Sequence, residues 1–265
     1  MILASLGIIA GKGGVSIDAD AQAFITAATI TDSTQQSAIN QLVLDLKSAN
    51  IWTKMKAIYP FVGGTATTHK FNLKDPRDVD AAYRLVFSGG WVHSSTGAKP
   101  NGTTAYADTK LKPSNMSQNS AHMSTYLRTS SSTGVDMGTS VNYYFYLSAG
   151  HFAGQPPRGP LNIATYQDTS PVLDSKAFYV TSKTNSTTNK LFRNTSLISN
   201  ETVASVTPEA YNIYIGAGNR NNAGWFYSAR EQAFATIGDG LTDAEALTFY
   251  NAVQTFQTTL GRQVV

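Results

Sequence analysis

The stretch YNIYIGAGNRNNAGWFYSAREQAFATIG, residues 211–238, decides the reading of the fold. Tyr211, Ile213 and Ile215 alternate with Asn212 and Tyr214, a period of two that gives one buried and one amphipathic face. A polar loop follows from Gly216 to Gly224, and a second strand is expected at 232–237. No helix separates the two strands, which favours an antiparallel sheet over a Rossmann-type one.

Working outward, the same grammar holds from about Lys54 to Thr236. Strands are expected at 54–59, 68–72, 83–87, 124–129, 141–148, 161–166, 177–183 and 190–192 as well, each bounded by Gly, Pro, Asn or Ser clusters. Such a series without long intervening helices predicts a mainly β chain, folded as an antiparallel β-sandwich. Helical period appears only near the ends. Over 31–49, Ile39, Leu42, Val43 and Leu46 form one apolar stripe, with Thr31, Asp32 and Ser33 as candidate N-caps. A shorter helical turn over 20–28 puts Phe24 and Ala28 on one face. At the other end, Thr242 and Glu245 form a capping box. Ala246, Phe249, Tyr250, Val253, Phe256 and Leu260 then line one face, and Gly261 ends the helix, predicted at 242–261.

Composition agrees. The 265 residues suit one large domain or two small ones. Only 14% are charged, against roughly 25% in ordinary domains. Threonine (31), serine (25) and asparagine (17) supply the missing polarity and favour strands and turns. There is no cysteine, so disulfides, cysteine-ligated zinc and cysteine nucleophiles are excluded together. The net charge is +3 and no basic run exists, which argues against nucleic acid as a main partner. The apolar opening MILASLGIIAGKGG breaks at Gly11-Lys12, too short for a spanning helix and without a positive start for a secretory signal. It reads as a strand or docking segment, and no membrane partner is expected.

Motifs for chemistry are weak. Gly7 to Gly13 has one residue too few for a phosphate loop, and Gly13 stands where a hydroxyl is needed. Gly216-Ala-Gly218 has Asn221 in place of the third glycine of a dinucleotide fingerprint. His69, His93, His122 and His151 show no ligand spacing, so no metal is expected. Hydrolysis of glycosides needs paired carboxylates. The four glutamates are Glu201, Glu209, Glu231 and Glu245, and no two are closer than the eight-residue gap from Glu201 to Glu209. Asp75, Asp78 and Asp80 read as caps of a turn entering a short helix. No catalytic residues and no cofactor are assigned. Loop tryptophans can stack on sugar rings or pack on the sandwich; Trp91 after Gly89-Gly90 and Trp225 after a polar loop are the candidates.

Three long motifs carry a resemblance: IWTKMKAIYPFVGGTATTHKFNLKDP (51–76), GGWVHSSTGAKPNGTTAYADTKLKPS (89–114) and AREQAFATIGDGLTDAEALTFYNAVQTFQTTLGR (229–262). Together they resemble virion proteins of tailed phages of Bacteroidota, of tail-fibre, head-fibre or decoration type, over roughly residues 18–262. The resemblance implies a concanavalin A-like, LamG-type jelly roll. Such relatives have an Asn-Gly hairpin; here LFRNTSLI (191–198) has Asn194-Thr195, and β-branched Thr disfavours positive φ, so a wider loop is expected. No calcium-ligand run is visible, so no metal is carried over.

The expected organisation is a docking segment (1–17), a helical entry region (18–52) and a jelly roll closed by the C-terminal helix (53–265). The resemblance implies location in the virion, assembled in the bacterial host cytoplasm, with other virion proteins and further copies of itself, in a trimer, as partners. The function expected is binding of a host surface glycan. The alternatives are a structural decoration protein and, third, a glycan hydrolase. The candidate glycan-binding surface is Trp91, His93, Tyr106 and Trp225, with Asn101, Asn219 and Arg220 for hydroxyl edges.

Overall fold

A computed structural model describes residues 16–131, 133–166, 168 and 171–264. The expected phosphate-loop look-alike and almost all of the expected docking segment lie outside these residues.

Four α-helices are present among the described residues: α1 (Ala19–Ala27), α2 (Ser33–Ser48), α3 (Ala66–His69) and α4 (Asp243–Thr259). The strands run in chain order as β1 (Met55–Tyr59), β2 (Val86–Ser88), β3 (Trp91–Ser94), β4 (Gly97–Pro100), β5 (Tyr106–Asp108), β6 (Ala121–Leu127), β7 (Met137–Ser140) and β8 (Tyr144–Leu147). They continue as β9 (Leu161–Ile163), β10 (Ala177–Lys183), β11 (Thr188–Arg193), β12 (Ser196–Thr202), β13 (Tyr214–Ile215), β14 (Gly218–Arg220), β15 (Ala223–Trp225) and β16 (Gln232–Gly238).

Two sheets face each other. The first has the order β12-β11-β10-β6-β16-β4-β3, with β1 beside β16. The second has the order β15-β14-β7-β13-β5-β2, with β8 pairing β7 and β9 beyond it. Pairing is antiparallel throughout these strands except between β14 and β7, which are parallel. The chain is thus mainly β, an antiparallel sandwich with a C-terminal helix.

Alternation along the central strands builds two cores. β10 sends Ala177 and Tyr179 between the sheets and Phe178 and Val180 to the opposite face. β6 does the same with Met123 and Leu127 against Tyr126, and β16 with Ala235 and Ile237 against Phe234. α1, α2 and α4 cover that opposite face with Phe24, Ile39, Leu42, Val43, Phe249, Val253 and Phe256. The layers among the described residues are therefore helices, first sheet, second sheet, with α1, α2 and α4 all on the outer face of the first sheet.

The helix ends follow local chemistry. Asp32 caps α2 by accepting from the Gln35 N–H at 2.8 Å. Thr242 and Glu245 form the expected capping box of α4, and Gly261 takes φ 63° just beyond it. Arg262 then locks the C-terminal segment, donating to the carbonyls of Pro60, Phe61 and Ala233.

Two local expectations are corrected. Residues 68–72 are not a strand: Thr65 caps a helical turn, and Asn72 Oδ1 accepts from the Ile58 and Lys74 N–H groups. The β11–β12 connection is not a wide loop. Arg193 pairs with Ser196, leaving Asn194 and Thr195 alone in the turn. Only Asn194 takes a positive φ, 53°, and its N–H and Oδ1 bond the Phe178 backbone, so Thr195 escapes the strain.

Candidate functional site

On the outer face of the second sheet, β5 alternates Tyr106 and Asp108 outward with Ala107 inward, and β13 places Tyr214 outward with Ile215 inward. Tyr214 sits opposite Asp108, and its ring stacks on that of Tyr106 with centroids 4.3 Å apart and planes 12° from parallel. The Tyr214 hydroxyl donates to the Asn222 carbonyl at 3.3 Å, tying the pair to the β14–β15 hairpin. Burial and the nearby Asp108 carboxylate push the Tyr214 phenol well above the usual tyrosine range, so it stays a donor.

That hairpin turns on Asn221 and Asn222, both at positive φ (54° and 64°), as a tight two-residue loop requires. It carries exposed Arg220 with its guanidinium 5.4 Å from the Trp225 ring centroid. Gly218 lies opposite Trp225 and leaves space for the indole; a Cβ there would be 2.9 Å from Trp225 Cε3. The aromatic surface continues through Phe226, 4.4 Å from Trp225, to Phe152, 4.9 Å farther and 44% exposed. His151 packs beneath them, its pKa lowered to about 4 by burial and the Arg158 charge. Phe152 also borders a cleft of about 390 Å³ whose polar lining includes Ser130, Ser131 and Asp174.

Of the seven residues expected to form the surface, Tyr106, Arg220 and Trp225 share this face. Trp91 serves a different purpose. Its Nε1 donates to the carbonyls of Ser88 and Tyr106, and its ring edge fits against Gly216, where a Cβ would be 2.8 Å away. Packed also on Phe87 at 5.3 Å, it plugs the junction between the two sheets. His93 stacks on Trp91, and its Nδ1 lies 2.9 Å from Nδ1 of buried His69, a pairing the sequence spacing did not suggest. The Asn101 side chain holds its own turn, accepting from the N–H groups of residues 103, 104 and 105. Asn219 is fully buried and bonds the Asn212 carbonyl and the Asn222 N–H, so its amide does not face solvent.

Sequence reasoning missed Tyr214, Phe226, Phe152 and His151. The alternation at 211–215 marked Tyr214 as outward-facing, but nothing local joins residues 151–152 to 225–226.

The glutamates are held by structural partners. Glu209 accepts from the N–H groups of residues 141, 142 and 143, Glu231 bonds Arg128 and Thr96, and Glu245 bonds Lys54 and Thr242. Glu201 is buried in the sandwich with Ser199 beside it. Among the described residues, no group of three or more His, Asp or Glu side chains could hold a metal ion, and no helix is long and apolar enough to cross a membrane.

No family model matches the chain, and no curated protein matches it. Solved structures do. The receptor-binding domain of botulinum neurotoxin mosaic serotype C/D aligns with a TM-score of 0.50 at 12% identity, over 76% of this chain and 51% of that one. Domain 4 of an extracellular arabinanase from Geobacillus stearothermophilus, solved with arabinotriose, aligns at 0.47 and 12% identity over 74% of this chain and 98% of that one. A Trypanosoma rangeli sialidase mutant with trans-sialidase activity aligns at 0.48 and 8% identity, over 83% of this chain and 39% of that one. The chain thus spans about half of the neurotoxin domain and less of the sialidase. What the neurotoxin likeness shows is the class of fold, an antiparallel β-sandwich.

Proposed function

We propose that this protein is a non-catalytic glycan-binding module, and that its binding surface is the outer face of the second sheet. The observation that carries the reading is the aromatic row there: half-buried Tyr106, held flat by stacking on the buried Tyr214 ring, and half-buried Trp225 beneath Arg220 on the adjoining hairpin. Flat rings take the apolar faces of pyranoses, while Arg220, Asp108 and the exposed Asn221 and Asn222 offer donors and acceptors to hydroxyl edges. The structural engagement of Glu209, Glu231 and Glu245 supports binding over hydrolysis.

The setting we propose is a phage particle, on the strength of the three resembling motifs. There the module is carried in several copies, in a trimer with other virion proteins, so that weak single sites add up. Titration of the purified protein with polysaccharide from the host surface tests the binding. Saturable binding that free oligosaccharide competes away supports it, and no heat or signal at millimolar sugar would make a purely structural decoration role the better account. A map of the intact particle tests the setting and its three-fold arrangement.

A further inference from the structure

Lys183, Asn189 and Glu201 stand in a row on three adjacent strands. The β10–β11 register pairs Ser182 with Lys190, so the next pair sets Lys183 opposite Asn189. Asn189 is in turn opposite Glu201 of β12. Residues opposed across a ladder share a face, and this face is the inner one, since Leu191 two residues from Asn189 lies in the core between the sheets. All three are buried, with 0%, 2% and 6% exposure for Lys183, Asn189 and Glu201. A primary amine, a carboxamide and a carboxyl are thus neighbours inside the sandwich.

The amine is out of place as an ammonium. Lys183 Nζ has no hydrogen-bond partner among the described residues. Burial lowers its pKa, with the Glu201 charge opposing as the smaller influence. A neutral lysine amine is a nucleophile. The carboxamide, by contrast, is clamped. Asn189 Nδ2 donates to the Gly159 carbonyl at 2.8 Å, and Oδ1 accepts from the Leu161 N–H at 3.1 Å. That N–H points at the oxygen on which negative charge would develop during attack at Cγ. Opposed Cβ atoms lie about 4.5–5.5 Å apart, within the reach of a lysine side chain.

We propose that Lys183 and Asn189 become joined by an amide bond, with Glu201 carrying the proton. Nζ attacks Cγ, and the Leu161 N–H steadies the charge on Oδ1. Glu201 takes a proton from Nζ and delivers it to Nδ2. The Cγ–Nδ2 bond breaks, ammonia leaves, and the Nζ–Cγ amide remains. One bond forms and one breaks, with no oxidant or reductant. The product replaces an unpartnered buried amine with a neutral amide and staples β10 to β11 beside their connecting turn.

Intact-mass spectrometry of the full, denatured chain is the test. The expected mass lies below the sequence mass by about 17 Da, one ammonia, and a digest contains a branched peptide joining Lys183 to Asn189. Glu201→Gln and Lys183→Met should each restore the sequence mass. A wild-type chain at its full sequence mass overturns the proposal, and this result needs no variant to fold. So does a loss of ammonia with only linear peptides, which means a cyclised asparagine, or a branch ending on any residue other than Asn189. A Glu201→Gln chain that still carries the link overturns the role of Glu201.

Discussion

Arg230 and Asp136, 94 residues apart in sequence, form an ion pair at 3.0 Å with both side chains fully buried. Ser228 Oγ and the Ala149 N–H complete the carboxylate, and the Ser131, Gly134 and Gly150 carbonyls complete the guanidinium. This network ties the loops at one end of the sandwich to the start of β16. Removing one partner strands a charge, so Arg230→Met should cost about 3–5 kcal/mol. Replacing both, as Arg230→Met with Asp136→Leu, should recover much of that loss. Urea unfolding of the three proteins checks it, and a single variant within 1 kcal/mol or so of wild type would contradict it.

Helix α4 belongs to the core. Phe249, Val253 and Phe256 are buried on the first sheet, and each contributes about 1.5–3 kcal/mol by burial. Deleting residues 242–265 also removes the Arg262 bonds to Pro60, Phe61 and Ala233. The truncated chain should show no cooperative thermal transition. Cooperative melting at the parental temperature would count against this packing.

Acid should destabilise the fold through its histidines. Burial lowers the pKa of His69 to about 3 and that of His122 to about 4. The unfolded chain takes up these protons near pH 6.5 and the folded one does not. The stabilising contribution is therefore complete above about pH 6.5 and is lost as pH falls toward 4, at about 1.4 kcal/mol per pH unit for each proton. His151 acts in the same direction. Melting temperatures measured between pH 7.5 and 4.5 should be flat above 6.5 and fall below it. Replacing His122, bonded to Thr236 and the Asp239 carbonyl, by Gln should flatten the acid limb.

Trp91 should prove a packing residue. Its indole fills the sheet junction with Nε1 bonded twice, so Trp91→Ala should lower stability by about 3 kcal/mol. Glycan affinity measured on the fraction still folded should stay near wild type. Unchanged melting with lost binding would return Trp91 to the binding surface.

What the sequence made legible follows burial. β10 was readable to its last residue because AFYVTSK is buried on both faces between clear breakers. α4 was readable from its capping box and stripe. Strands β3, β4, β5, β14 and β15 escaped because runs of three or four residues are too short to show a period. The same short pieces carry the candidate site. Tyr106 and Trp225 were visible as loop aromatics, but that Asn219 turns inward depends on the Asn221–Asn222 turn, and that Trp91 plugs a junction depends on Gly216 across the sandwich. Contacts between distant segments leave no local trace.

The most direct test of the account is glycan binding by multivalently displayed protein, comparing wild type with Trp225→Ala and Tyr106→Ala. Wild type should retain a host surface glycan, and each variant should weaken that retention by about fivefold or more, the equivalent of about 1 kcal/mol per stacking contact, with unchanged melting temperatures. Failure of the wild-type display to retain any host surface glycan, or full retention by both variants, would contradict it.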